Sequence, residues 1–320
     1  MLSTSTTCKN SSANDNRARA ASVTDVPRII RTFKTIREHN NIMAELQHKI
    51  QRAIKLLQAI PTTDGPVEVC YSGGKDSDVI LQLAKLAGIN YRAIYKNTTI
   101  DPPGTIAHAK AMGAEIMRPE ISFLELVKKK GFPSRFCRFC CSELKEYPIL
   151  PRAIVGIRRG ESRKRAERYH EPEMCRIYKN IKGQPHVRQY FPILDWTNDD
   201  VAQFVAQQGI SCHPLYYDDS GSFLPERRLG CIGCPLVSQK KRRAQFLQYP
   251  KLLEALTKAL QSHWDNRIPP SKTQIICNNN AWNFMFYSLF CDSILNYQER
   301  THTLFDFNPE QFIKDYFNII

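Results

Sequence analysis

No run of about 18 consecutive apolar residues occurs anywhere in this 320-residue chain, which excludes an ordinary transmembrane helix and any membrane partner of that kind. The N-terminus also lacks the apolar core of a secretory signal, so a cytoplasmic location is the expectation. No internal repeat is found along the chain. What is present points elsewhere. Apolar residues make up 42% of the chain, enough for a sizeable core. The formal net charge is +14, which favours polyanionic partners such as nucleotides or nucleic acid. Much of that charge lies in four runs: Lys128–Lys130, Arg158–Arg168, Arg227–Arg228 and Lys240–Arg243. Eleven cysteines in a cytoplasmic protein point to metal binding or redox work rather than a disulfide framework.

The pattern along the chain divides it into four parts. Residues 1–25 read as a disordered tail, richest in Ser, Thr and Asn over Met1–Asn16. Residues 26–62 read as a helical appendage, with Ile29, Ile30, Phe33 and Ile36, then Ile42, Leu46, Ile50, Ile54 and Leu57, at helical spacing. Residues 63–250 alternate strand and helix. Strands are expected at Val67–Tyr71, Tyr91–Tyr95, Glu115–Met117 and Ala153–Ile157. Helices are expected at Ser77–Leu86, Thr105–Met112, Phe123–Lys130 and Thr197–Gln208, the last with Thr197 as its cap. This rhythm predicts an α/β fold with a doubly wound, mostly parallel sheet. Gly160–Pro185 reads as a polar loop over the site. Residues 251–320 read as a C-terminal helical region. Ser238–Leu260 is expected to break near Pro250, and Asn280–Tyr297 to form one aromatic-rich helix.

The strand Val67–Tyr71 runs directly into Ser72-Gly73-Gly74-Lys75-Asp76-Ser77 and then into a helix. Paired glycines permit a tight turn and close approach of a ligand. Amides at a helix start, together with its dipole, favour an anion. Lys75 adds a point charge, and Ser72 and Ser77 add hydroxyl donors. The spacing is neither a Walker A loop nor a dinucleotide fingerprint. It resembles the PP-loop of the ATP pyrophosphatases and sulfonucleotide reductases, and the chain as a whole resembles the phosphoadenylyl-sulfate reductase family. Tyr95–Pro103, which contains Thr98, is similar to that family's post-strand loop near the nucleotide. Gly156-Ile157-Arg158-Arg159-Gly160-Glu161-Ser162 is similar to its Gly-Ile-Arg-x-x-Glu-Ser motif. Arginine's planar fork suits phosphate or sulfate, so Arg158 is expected to contact an oxyanion, oriented by Glu161. Arg163, Lys164, Arg165 and Arg168 read as a solvated run. Lys75 and Asp76 are the expected catalytic pair, on a loop expected to be exposed.

Cys231-Ile232-Gly233-Cys234 is a metal knuckle by its own spacing, and Cys137, Cys140 and Cys141 supply further thiols upstream. The residues alone give a four-thiolate site without naming the metal. The resemblance implies a 4Fe-4S cluster on Cys140, Cys141, Cys231 and Cys234, with zinc as the alternative. Cys137 could replace Cys140, and Cys175 could contribute. Cys8, Cys70, Cys212, Cys277 and Cys291 read as unligated. The block Pro192–Trp196 with Asp200-Val201, the pair Leu144-Lys145 and Leu215-Tyr216-Tyr217 also follow the family's order.

One family feature is missing: no Glu-Cys-Gly-Leu-His motif follows the knuckle. Sulfonucleotide reduction needs a thiolate nucleophile. The resemblance therefore implies ATP, with Mg²⁺, activating an acceptor for sulfur transfer, ahead of reduction of adenylyl sulfate or its 3′-phosphate with Cys175 or another thiol as nucleophile. A sulfur carrier, a thiol electron donor and nucleic acid are the candidate macromolecular partners. The reading of another class is a nucleotide- or nucleic-acid-binding module with structural zinc and no turnover.

Overall fold

The computed structural model describes residues 43–146, 148–178, 183, 185–302 and 307–319. The expected tail and the first half of the expected appendage lie outside them. The chain divides into two compact units, Met1–His48 and Lys49–Ile320. Residues 43–58 are helical (α1), and Ile50 and Leu57 of the second unit are buried.

The second unit contains a six-stranded sheet: β1 Val67–Tyr71, β2 Tyr91–Lys96, β3 Glu115–Met117, β4 Arg152–Ile154, β5 Glu173–Ile177 and β6 His186–Tyr190. The strand order is β3-β2-β1-β4-β6-β5. Every pairing is parallel except β5 with β6. The fold is thus the expected doubly wound α/β type. The intervening helices are α2 Lys75–Ala87, α3 Thr105–Ala111, α4 Phe123–Lys130, α5 Phe139–Leu144, α6 Arg163–Arg168 and α7 Asn198–Gln207. β1 is central: Val67 and Val69 on one face are wholly buried, and so is Glu68 on the other, as a strand covered on both faces requires. Its second residue breaks the apolar reading. Glu68 accepts from Lys96 Nζ at 3.3 Å and from the Leu150 amide at 3.1 Å, and so ties β2 and the approach to β4 onto β1.

The sheet grows in one direction through β1, β2 and β3, and in the other through β4 and β6. The order reverses between β1 and β4, where a doubly wound fold opens a ligand crevice beyond the strands' carboxyl ends. The loop after β1 and the segment after β4 both emerge there.

Two expectations need correction. Gly160–Pro185 is not one loop. It holds the short helix α6 and the edge strand β5. In β5, exposed Glu173, Cys175 and Ile177 alternate with half-buried Met174 and Arg176, a pattern with too little apolar content to stand out. The aromatic stretch is two helices, α11 Ala281–Phe290 and α12 Ile294–His302, separated at Cys291–Ser293. The expected break near Pro250 is present, between α8 Gln239–Gln248 and α9 Pro250–Asp265. A short helix, α10 Lys272–Ile276, precedes α11, and α13 Pro309–Phe317 is the last element. C-terminal aromatics are core: Phe286 and Phe317 are buried in one cluster with Met285, Leu253, Leu256 and Phe246 of α8. Each such fully buried side chain contributes about 1.5–3 kcal/mol of transfer free energy.

Candidate functional site

Gly73 sits at φ +74°, in the left-handed region, and a Cβ there would lie 2.7 Å from Thr105 Cγ2. Only glycine fits the turn. Gly74 then caps α2 in extended conformation, and a Cβ on it would lie 3.2 Å from the Tyr216 hydroxyl. The amides of Ser77 and Asp78 both donate to the Gly74 carbonyl, at 2.8 and 3.0 Å, and the Ser77 hydroxyl does so at 2.6 Å. Ser72 Oγ lies 3.3 Å from Ser77 Oγ. Contrary to expectation the loop is not exposed. Gly73, Gly74, Lys75 and Ser77 are buried, because Thr105, Tyr216 and Leu229 pack over them.

Lys75 is 2% exposed. Its ammonium donates to Asp76 Oδ2 at 2.9 Å and lies 5.5 Å from the centre of the Tyr216 ring. Burial holds its pKa below the usual lysine range; Asp76 opposes that shift, and Arg158 and Arg228 add to it. Asp76 is shared. Its other oxygen accepts from Arg158 Nε at 2.8 Å. Arg158, 3% exposed, also donates to the Trp196 carbonyl at 3.2 Å and to Asn198 Oδ1 at 2.9 Å. Gly156 permits this approach, since a Cβ there would lie 3.0 Å from the Asp76 carbonyl oxygen.

Arg158 therefore braces Asp76, where the sequence suggested an oxyanion contact. Glu161 does not orient its guanidinium. It reaches Arg158 only at the backbone amide, at 3.4 Å, and its carboxylate pairs with Arg165 and, at 3.6 Å, with Arg228. Arg165 thus leaves the solvated run in which its sequence placed it.

The four cysteines Cys140, Cys141, Cys231 and Cys234 converge on one cleft, lined also by Thr98, Phe132, Lys145 and Leu256. Thr98 Oγ1 lies 3.5 Å from Cys231 Sγ, so this expected nucleotide contact sits at the thiols. Burial raises the Cys231 thiol to about 11, against the pull of Lys145. A thiol–thiol hydrogen bond holds Cys140 below and Cys141 above the ordinary range. Cys137 and Cys175 are exposed, and neither lines this cleft. Among the described residues, no group of three or more His, Cys, Asp or Glu side chains is close enough to hold a single metal ion.

The profile of the phosphoadenosine phosphosulfate reductase domain family matches residues 66–237, which include the loop, both arginine segments and all four cleft cysteines. The chain belongs to this family. Among curated relatives, an uncharacterized protein of Methanocaldococcus jannaschii is 26% identical over 235 residues, 69% of this chain and 53% of that protein. Sulfate adenylyltransferase subunit 2 of a Rhizobium species is 25% identical over 206 residues, 55% of this chain and 69% of that one. The chain covers about half the length of the uncharacterized archaeal relatives, 53% and 42%. Among solved structures, the Candida glabrata FMN adenylyltransferase has a TM-score of 0.41 at 13% identity, covering 73% of this chain and 80% of that one. The Methanococcus maripaludis U34-tRNA thiolase NcsA, solved with its 4Fe-4S cluster, has a TM-score of 0.34 at 16% identity, covering 68% of this chain and 77% of that one.

Beneath the loop of this reductase-domain chain lies a buried polar hub that sequence reasoning missed. Asp78, wholly buried on α2, accepts from the Tyr71 hydroxyl and lies 3.0 and 3.1 Å from His108 Nε2. His213 stands edge-on to His108, ring centres 5.9 Å apart, and its pKa is lowered first by burial and then by His108. These residues come from β1, α2, α3 and the turn before Tyr216, too scattered for any motif. The available signal was Asp78 itself, a carboxylate beside the apolar stripe of Val79, Ile80 and Leu83.

Proposed function

We propose that this chain is a PP-loop enzyme that holds an adenine nucleotide, ATP or adenylyl sulfate, at Ser72–Ser77 and uses it for sulfur transfer or sulfonucleotide chemistry. One observation carries this reading: a left-handed glycine feeds a helix start at the sheet's switch point, inside the family's matched span. Gly73 and Gly74 admit the phosphates to the backbone. Lys75 supplies charge, and Ser72 and Ser77 supply hydroxyls. Asp76, with Arg158 behind it, fixes the ammonium of Lys75. Lys75 and Asp76 are the pair assigned to catalysis, with Thr98 and Glu161 at the margins of the nucleotide site.

ATP activation is favoured over sulfonucleotide reduction. The two cysteines downstream of the knuckle, Cys277 and Cys291, are buried in the C-terminal core, and burial pushes both thiols up, Cys277 to about 12. Buried thiols of this kind are poor nucleophiles, and the other thiol open to that role, Cys175, lies exposed on the edge strand β5. In the favoured reaction an acceptor oxygen bonds to the α-phosphorus, and pyrophosphate leaves with the electrons of the broken bond; bound Mg²⁺ would supply countercharge for it. A thiol-level sulfur delivered by a carrier then bonds to the activated acceptor atom, and AMP leaves with the electrons of the broken acceptor–oxygen bond; a persulfide carrier would also need the thiol electron donor. Nucleic acid is a candidate acceptor, given the net charge of +14.

Cys140, Cys141, Cys231 and Cys234 would hold a 4Fe-4S cluster. Four thiols lining one cleft, with cationic Lys145 beside Cys231, suit an anionic thiolate-ligated centre. Such a cluster, held by these thiolates, would supply iron–sulfur chemistry for the sulfur transfer.

The test is pyrophosphate release from ATP by anaerobically purified protein, with mass spectrometry of nucleotides consumed and formed. Steady release, lost in Lys75→Ala, is expected. Absence of both turnover and nucleotide binding would overturn the proposal. Binding without turnover would leave the non-catalytic module.

A further inference from the structure

We infer that Arg165 and Arg228 form the grip for the nucleotide's anionic end, an inference that rests on the nucleotide reading of the loop. Arg158 is committed elsewhere, with its guanidinium nitrogens on Asp76, Trp196 and Asn198. The other two arginines are differently placed. Leu229 packs on the glycine pair, its side chain 3.4 Å from a Cβ built at Gly73, and its amide donates to the Tyr216 hydroxyl at 3.2 Å. This anchors Arg228 at the loop's mouth. Arg228 donates to the Glu161 carbonyl at 2.8 Å and faces the Glu161 carboxylate at 3.6 Å, with its side chain 53% exposed. Arg165 pairs with the other oxygen of the same carboxylate and is 38% exposed. Glu161, 9% exposed, thus holds two accessible guanidinium groups together.

Charge supports the assignment. Arg158 and Arg228 each act on both Lys75 and Arg165 here, and the carboxylates paired with these four cations are Asp76 and Glu161. The excess of two positive charges fits a doubly charged group: a Mg²⁺-bound triphosphate end or a phosphosulfate. Guanidinium forks suit both, because each presents paired donors to tetrahedral oxyanions. Arg163 makes a contrast. It is 92% exposed and pairs only with Glu167 one turn away, so it serves as an internal control.

The experiment is calorimetric titration of the full chain, metal-replete, with ATP–Mg²⁺, adenylyl sulfate and adenosine. Arg165→Ala and Arg228→Ala should each raise the Kd for both charged ligands at least about tenfold, the scale of one lost charge-assisted hydrogen bond. Adenosine binding should stay unchanged, as should all binding by Arg163→Ala. Wild-type affinity for ATP in both arginine variants would overturn the inference while leaving the loop's role intact. An equal loss for adenosine would also overturn it, by showing that the effect runs through the fold. No ligand binding by the parent protein would instead overturn the nucleotide reading itself. If an alanine variant fails to fold, the glutamine variant, which keeps the alkyl packing, is read in its place.

Discussion

Replacing Gly73 by alanine should be among the most damaging single-methyl changes available to this chain. Two costs add. A non-glycine residue in the left-handed region loses about 1–2 kcal/mol, and Gly73 lies there at φ +74°. The new Cβ would also sit 2.7 Å from Thr105 Cγ2. The loop is buried under Tyr216 and Leu229, so it cannot swing away, and overpacking of this kind costs about 1–3 kcal/mol. Together they give about 2–5 kcal/mol, a large share of a typical domain's stability. The overlap can be tested separately. Thr105→Ser removes the offending methyl but keeps the hydroxyl that donates to the Pro102 carbonyl at 2.7 Å, at a cost of about 1 kcal/mol for one buried methyl. In the double variant the steric part should return, giving a favourable coupling of about 1–3 kcal/mol. Urea unfolding of the four proteins measures it. If Gly73→Ala unfolds within about 0.5 kcal/mol of the parent, or if the two changes simply add, the close-packed account of the loop is wrong.

Glu68→Gln should destabilise by about 1–3 kcal/mol, because it removes one charged partner of Lys96 and weakens the acceptor of the Leu150 amide; an unchanged melting temperature would show that the carboxylate is dispensable. Asp200 is pushed up by burial, but hydrogen bonds from Lys49 and Thr197 outweigh this and hold its pKa below the ordinary 3.8. A depressed carboxylate stabilises the fold above its unfolded pKa and loses that contribution as pH falls through the folded one. Asp200→Asn should therefore cost about 1–2 kcal/mol at neutral pH, and the gap to the parent should close below about pH 3.8; a gap independent of pH would contradict the assignment. Protein made without oxygen should be brown, and Cys231→Ser should bleach it and lower its melting temperature; unchanged colour in the variant would move the ligand set elsewhere.

What was legible in the sequence follows from how locally each feature is encoded. β1, β2, β3 and α4 stand where apolar runs stop at glycine or polar turns, and they form there. The capping box of Thr197 with Asp200 marks the start of α7 within one residue of its place. β5 and β6 were not legible, since Glu173, Arg176 and Arg188 give an edge hairpin no apolar signature. The split between α11 and α12 is hidden because apolar residues continue on both sides of Cys291. In the site, the glycine loop and the cysteine convergence could be read from motifs. The partners of Arg158 could not, because Asp76, Trp196 and Asn198 meet it only through the fold. The Asp78 hub is invisible for the same reason.

Residues 229–231 belong to two places at once. Leu229 lies on the glycine pair, and Cys231 stands among the thiols. Two residues of fully extended chain span at most about 7 Å, so this stretch works as a short lever with its fulcrum at the Tyr216 hydroxyl. A ligand that displaces Leu229 is therefore expected to shift Cys231 with it, so filling the loop and filling the thiol cleft should be felt by one another.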